Sequence, residues 1–574
     1  MDAQSIEREL VLELARGKKT FDQVATDARR HAATSGACSA LTGSNPARCI
    51  SQRLTELTGI SKDSLDFFNV ECAPEAADPA LPGQKMRLPF ILLSTHIEQL
   101  IAKDEFYFEV DIREQELGIA ASTFVRSREY VNHALVQACH PLGETVVPVG
   151  LYSDGVAVGE EPHVDSLYVV YLYFLNRPLL EAGKPESKFV FTVYRKSEAT
   201  ANTLNDIWRI LLWELQALQF GRKPVPGQEA RPLHEQTAGA HLGDRWGRWH
   251  RVALMQIKGD WAWYCEALGV WQWNCRSFMC PFCSAHGAGV LTWKDFSFDA
   301  AWRATCRTHE KFLEDMRRSK DQNFRSGASP FKAESLLTKA PYFAWTMLKL
   351  DWMHAADLGV LLYVVGAVWW SLLPILAPGG GRPTAAVRNA GLVELKRRLK
   401  EHYCAHRVSN RLALKRFTLN KVKPRKGPVK LKAKAAQAKD VLNFTMALAE
   451  EFKADGSAIC EHRFLMMQEL SAMYEFAKKT EVTTDELMRW RTHAAFFAYY
   501  YASCGFHFVP KIHYVMHIPE QVEQSGVLRA FWVYAEESKN RHLKTLYEIA
   551  SKGHALHQQM LLRLHWQHAL EAAG

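Results

Sequence analysis

A basic-then-apolar leader is missing from the first residues, MDAQSIERELVLEL, which carry acids where a secretory signal needs Lys or Arg followed by a hydrophobic run. Framework spacing is missing from the twelve cysteines, among them Cys38, Cys49, Cys72, Cys139 and Cys265, which excludes a disulfide-stapled scaffold. Both absences point to a reducing compartment, nucleus or cytosol. No zinc finger and no recognisable site-specific DNA-binding domain is visible in the first 90 residues. Charge is absent from Leu358 to Pro378, LGVLLYVVGAVWWSLLPILAP, a run long enough to span a bilayer. Gly359, Gly366 and Pro374 inside the run, the polar DWMHAAD before it and the lack of a companion segment favour a buried central helix over a membrane span. No membrane partner is expected.

At 574 residues, 48% hydrophobic and 23% charged, the chain has material for two to four domains with substantial cores. The net charge of +9 fits a polyanionic partner without requiring one.

Residues 1–140 read as a helical N-terminal region: SIERELVLELARG has helical spacing, LTGISKDSLDFF suggests a short capped helix, and the pattern stays helical from Leu88 to Cys139. The texture changes over 141–285. TVVPVGLYSDGVAVG, DSLYVVYLYFLNR and KFVFTVYRK are short, rich in β-branched and aromatic residues and bounded by turn residues, so they read as consecutive strands. The first strand ends at Asp154, although SDG would justify a turn unaided. An amphipathic helix follows in TLNDIWRILLWELQAL, then RWHRVALMQIKGD climbs through another strand to Asp260. Carboxylates at two strand ends imply an α/β core with acids converging at one edge. Residues 286–505 read as a helical region containing a basic segment, 413–439, that is either a solvated linker or a DNA-backbone contact. Residues 506–574 carry the paired histidines and an acidic segment, EESKN, that opens the final helix.

Cys280 and Cys283 have the C-x-x-C spacing that lets two thiolates bind one metal ion. No second such pair exists. The best source for the missing ligands is PKIHYVMH, where His513 and His517 stand four apart on one helix face. Together the four residues predict one structural Zn2+; the alternative is two buried thiols and two surface histidines.

Asp154 in YSDG, Asp260 in KGDW, the C-x-x-C after it, Asp351 and His354 in DWMHAAD, H-x-x-x-H in KIHYVMH and Glu537 to Asn540 in EESKN come in an order that resembles CACTA-like DDE transposases of the En/Spm and Plavaka type. The resemblance covers roughly residues 140 to 555. It implies an RNase H-like core interrupted by a large all-helical insertion, with two Mg2+ ions for cutting and joining DNA strands. It also implies nuclear localisation and a homodimer on DNA. The missing N-terminal DNA-binding domain suggests a truncated or host-adopted copy.

Phosphoryl transfer needs hard cations, for which carboxylate oxygens are the preferred ligands. Asp154 would bridge the ions, with Asp260 and Glu537 completing the sites. Glu536 is the alternative third carboxylate, since neighbours on a helix point about 100° apart and only one can face the metals. The alternative for the acidic pair is charge compensation at a helix start. Asp351 and His354 are expected to brace the site through hydrogen bonds. The rival reading is a catalytically inactive, transposon-derived DNA-binding or scaffolding protein.

Overall fold

The computed structural model describes residues 3–572 apart from 17, 36–37, 39–40, 43–45, 59, 62–63, 103–123, 160–164, 177–186, 225–241, 246–249, 272–279, 298, 319–333, 381, 454–457 and 551–555. In chain order the strands are β1 (Asp66–Glu71), β2 (Lys85–Phe90), β3 (Thr145–Val158), β4 (Asp165–Phe174), β5 (Lys188–Arg195), β6 (Arg222–Pro224), β7 (Leu242–Arg245) and β8 (His250–Gly259). The chain is a mixed α/β protein organised on a four-stranded sheet in the order β5-β4-β3-β8. β3 pairs antiparallel with β4 and parallel with β8, and β4 pairs antiparallel with β5. Strands β4 and β5 are almost continuously buried, which explains why they read as unbroken apolar runs and not as alternating ones.

Each sheet face is covered by helices. One packs on the Thr203–Leu218 helix, whose Ile207, Trp208, Leu211 and Leu215 join Val149, Leu151, Val170 and Leu172 in one core. On the other face, Tyr152, Val156, Val169 and Tyr171 meet the Leu556–Ala572 helix, against which the N-terminal helices Ala3–Ala15 and Pro46–Thr58 pack. The two ends of the chain therefore close the same side of the sheet.

Four expectations are corrected. The N-terminal region is not helical throughout: β1 and β2 form an antiparallel hairpin, so Asp66–Phe68 and Leu88–Phe90 are extended, and helix resumes at Leu93–Ala102. The part of that region at 103–123 lies outside the described residues. Asp154 does not end its strand, because β4 goes on pairing with β3 as far as Val158 opposite Asp165; SDG is strand, not turn. The segment after Cys283 is mostly turns and short 3-10 pieces before the His309–Arg318 helix. It also returns to the core in mid-course, where Leu348 forms a parallel bridge with Ile257 and Lys349 N donates to Ile257 O at 3.0 Å. Finally, the C-terminal helix is two helices, Tyr534–Ile549 and Leu556–Ala572, the first ending where Ala550 turns extended.

The uncharged run is helical, a π-helical stretch Met353–Leu361 continuing into Leu362–Leu376. Met353–Leu376 is long and apolar enough to cross a membrane, yet 67% of its most apolar window is buried within this fold. Trp369 Nε1 donates to Thr445 Oγ1 at 3.0 Å on one side. On another, the basic segment crosses it as a strap, with Leu431 N donating to Leu362 O at 2.9 Å and Phe417, Val422, Leu431 and Ala438 buried. The segment is thus ordered and is no free linker. It crosses at Gly366, where a Cβ would sit 2.6 Å from Leu431 N and 3.0 Å from Lys430 C. Since backbone cannot swing aside as a side chain can, Gly366→Ala should destabilise the fold by about 1–3 kcal/mol, read as a lower urea midpoint.

Candidate active site and metal centre

Tyr152 and Asp154 are two apart on β3, so their side chains share one face of the strand. The parallel register of β3 with β8 ends at Ser153 opposite Gly259, which leaves Asp154 and Asp260 as the next residues beyond the last pair. Asp260 caps the Trp261–Ala267 helix, its Oδ1 accepting from Trp263 N at 2.6 Å. Gly259 leaves room for the Trp263 ring, which lies 2.3 Å from where a Cβ would be and would have to shift for any other residue. Glu537 enters from the first turn of the Tyr534–Ile549 helix.

Tyr152 Oη donates to either of two carboxylates, Asp154 Oδ2 at 3.2 Å or Glu537 Oε1 at 3.1 Å. Asn540, one turn beyond Glu537, donates from Nδ2 to Asp154 Oδ2 at 3.3 Å while Tyr171 Oη donates to its Oδ1 at 3.0 Å. Burial, then the like charges of Asp260 and Glu537, push the Asp154 carboxyl up to about 8. Partial relief comes from His354, whose Nε2 is 3.6 Å from Glu537 Oε1 and whose Nδ1 is 2.7 Å from Asp351 Oδ2. Burial opposes its protonation, but Asp351 first and then Glu537 and Asp260 outweigh this and raise it to about 9. Asp351 in turn accepts from Met353 N, His354 N and Val533 N at 3.2, 2.7 and 3.1 Å. It ties the π-helical stretch to the start of the Glu537 helix.

Adjacent helix positions resolve the acidic pair geometrically. Glu536 is fully buried and turned away from Asp154, its Oε1 2.7 Å from Lys258 Nζ and 3.4 Å from Lys188 Nζ. Burial alone would raise its carboxyl, but the two ammonium groups outweigh burial and hold it below the usual range. Glu536 is therefore a buried ionic anchor, and its removal would strand two buried ammonium groups. Glu537 is the carboxylate that faces Asp154.

The structure also brings together Cys280, Cys283, His513 and His517, all buried, with their donor atoms within 4.8 Å of one another. Cys283 Sγ to His513 Nε2 is 3.3 Å and His513 Nε2 to His517 Nε2 is 3.2 Å, close to the roughly 3.3–3.8 Å expected between donors around one tetrahedral ion with bonds of about 2.0–2.3 Å. The cluster can hold a metal ion such as zinc. One expectation changes: the histidines do not share a continuous helix, since Pro510–Val515 ends before His517, which caps Ile518–Ser525. Among the described residues Asp154, Asp260 and Glu537 do not bring their carboxylate oxygens within 4.8 Å of one another as the Cys/His donors do.

Sequence reasoning missed Tyr152, which the two-residue strand period could have revealed beside Asp154, and Glu520, whose Oε2 lies 3.0 Å from His517 Nδ1. It also missed the course of the strap. From Arg407 to Lys439 there are twelve Lys and Arg and no Asp or Glu, and among the described residues none of the twelve has an ion-pair partner. Lys439 stands over the Tyr534 ring at 4.7 Å, three residues before Glu537. No family model and no curated protein matches this chain.

Two outcomes are expected. Between its ordinary 3.8 and about 8, Asp154 binds a proton in the folded chain that the unfolded chain has lost, so its contribution to stability falls as pH rises across that window. In chelator-treated protein, Asp154→Asn should flatten the decline of melting temperature with pH relative to wild type. For the Cys/His cluster, Cys280→Ser and His517→Ala should each lose bound zinc by elemental analysis, and the double variant should be no less stable than the worse single one, because one ion couples the two pairs.

Proposed function

We propose that this protein is a DDE-type polynucleotidyl transferase that cuts and joins DNA strands with divalent cations, on an RNase H-like core of the transposase kind. The observation that carries the reading is the acidic cluster itself: Asp154 and Asp260 follow the last pair of two parallel strands, Tyr152 Oη reaches both Asp154 and Glu537, and the charges of Asp260 and Glu537 help to raise the Asp154 carboxyl. Among the described residues the group that ion-pairs with Glu537 is a histidine, not a Lys or Arg. His354 and Lys511 are cations beside these acids, Lys511 Nζ donating to His354 O at 2.6 Å and feeling the charge of Asp260, and an excess of carboxylate over cation favours bound metal ions. The sheet supports the RNase H-like part, as an antiparallel three-strand meander whose first strand pairs in parallel with a fourth.

Two Mg2+ ions, when bound, would activate the attacking oxygen and stabilise the leaving one. Asp154 would be one of the residues that hold them, with Tyr152 and Asn540 fixing its rotamer. Asp260 keeps Oδ2 free of the helix cap. Glu537 is held by His354, and His354 by Asp351, so the third carboxylate is oriented before substrate arrives. Zn2+ in the Cys/His cluster would be structural, pinning the segment after β8 to the one that leads into the Glu537 helix. The unpaired cations of the strap suit a phosphodiester backbone. A nuclear site of action and a homodimer on DNA belong to the same reading.

Alanine at Asp154, Asp260 or Glu537 should abolish Mg2+-dependent nicking and strand joining while DNA binding in chelator stays near wild type, because the lost groups act in the transition state. Wild-type protein that never nicks single-stranded, duplex or hairpin DNA in Mg2+ or Mn2+ would overturn the catalytic reading. Replacing Lys421, Arg425, Lys426 and Lys432 by Gln should flatten the log–log salt dependence of DNA binding by about three to four units without altering sequence preference; an unchanged slope would remove the strap from the DNA path.

A further inference from the structure

The four donors of the Cys/His cluster are sealed from solvent, with Cys280, Cys283, His513 and His517 at 1%, 0%, 0% and 2% exposure. Trp302 closes one wall, its ring centroid 4.3 Å from that of His513 and 5.5 Å from that of His517, and Phe282 lies 5.9 Å from His517. A bare ion entering such a buried cluster pays the cost of lost hydration, which a donor at the rim would lower, and an entry path is part of what makes a metal site workable.

A second set of donors touches the first. Cys306 Sγ, His517 and the Glu520 carboxylate offer ligand atoms within 4.8 Å of one another. Cys306 is exposed and the Glu520 side chain is 43% exposed. His517 belongs to both sets: Nε2 faces His513 at 3.2 Å, and Nδ1 faces Glu520 Oε2 at 3.0 Å. Cys306 is also tied by backbone to the cage, pairing with Cys283 in an isolated antiparallel bridge. At rest its thiol donates to Arg303 O at 3.6 Å, a weak bond that an arriving ion can displace.

We propose that Cys306, Glu520 and His517 form a transfer site for a thiophilic divalent ion, through which Zn2+ enters and leaves the buried cage. The proposal rests on reading that cage as a zinc site. An aquated ion exchanges a water for Cys306 Sγ, whose thiol proton passes to solvent; as the ion moves on, the Cys280 and Cys283 thiols release their protons and form metal–sulfur bonds while the Cys306 thiolate regains a proton from solvent, and release reverses these steps. The ion stays divalent and no electrons move. Glu520 supplies a hard oxygen during the handover and otherwise keeps His517 oriented, the usual service of a carboxylate beside a ligating histidine.

The test uses the zinc-loaded full chain, following exchange with isotopically labelled Zn2+ and release to excess chelator. Cys306→Ala should retain one zinc per chain yet exchange and release it at least about tenfold more slowly. Cys306→His, which restores a donor, should restore the rate, and Cys404→Ser, at an exposed cysteine outside both donor sets, should leave it unchanged. Equal or faster exchange in Cys306→Ala overturns the transfer site while leaving the cage intact. Loss of zinc from Cys306→Ala also overturns it, by making Cys306 a permanent ligand. Wild-type protein without zinc overturns the cage reading beneath it.

Discussion

The parallel pairing of β3 with β8 is the constraint on which the rest of the acidic centre depends. Its last pair, Ser153 with Gly259, sets Asp154 and Asp260 at the same level, each one residue further on. β3 then continues along β4, whereas the chain after β8 turns into a helix capped by Asp260. One strand runs on without its neighbour, and at that point Asp260 is near enough for its charge to raise the Asp154 carboxyl. A slip of one residue in this register would turn every side chain of one strand to the opposite face, so the hydrophobic cores on the two faces of the sheet also hold the acids in place.

Glu536 and Glu537 divide anchoring and exposure between adjacent positions. Glu536 reaches across the sheet face to Lys258 on β8 and Lys188 on β5, whose ammonium groups lie 4.3 and 4.1 Å from the centroid of Tyr173 on β4 between them. That buried cluster fixes the helix, and about 100° around its axis Glu537 is presented to Asp154. Asp351 adds the second restraint by accepting from Val533 N just ahead of the helix. A carboxylate that must tolerate like charges close by needs this kind of support, because left alone it would turn to solvent.

The region between β8 and the last helices is more than an insertion set apart from the core. It returns at Leu348–His354 to bridge β8 and to deliver Asp351 and His354, and it sends the basic strap over the central helix to end beside Tyr534. The uncharged helix owes its composition to this position, covered by the strap on one side and by Thr445 and its neighbours on another. Its apolarity reports a core, as the glycines and the proline within it suggested.

Short ligand spacings were enough to nominate the Cys280 and Cys283 pair, His513 and His517, because metal chemistry restricts donors to a few side chains, while Asp154 and Asp260 stood out as acids closing apolar, β-branched runs. Strand composition was enough for β3, β4, β5 and β8, since burial on both faces demands apolar, β-branched residues. Three features were left to the tertiary structure. Whether Glu536 or Glu537 faces Asp154 depends on where two lysines from other strands lie, which no local pattern encodes. That Asp154 sits inside its strand and not at its end depends on how far β4 continues to pair. The position of Cys306 beside the Cys/His cluster depends on the pairing of Thr305–Arg307 with Phe282–Ser284. Spacing along the chain carries chemistry between neighbours in sequence; contacts between residues hundreds of positions apart exist only once the apolar surfaces have chosen how to pack.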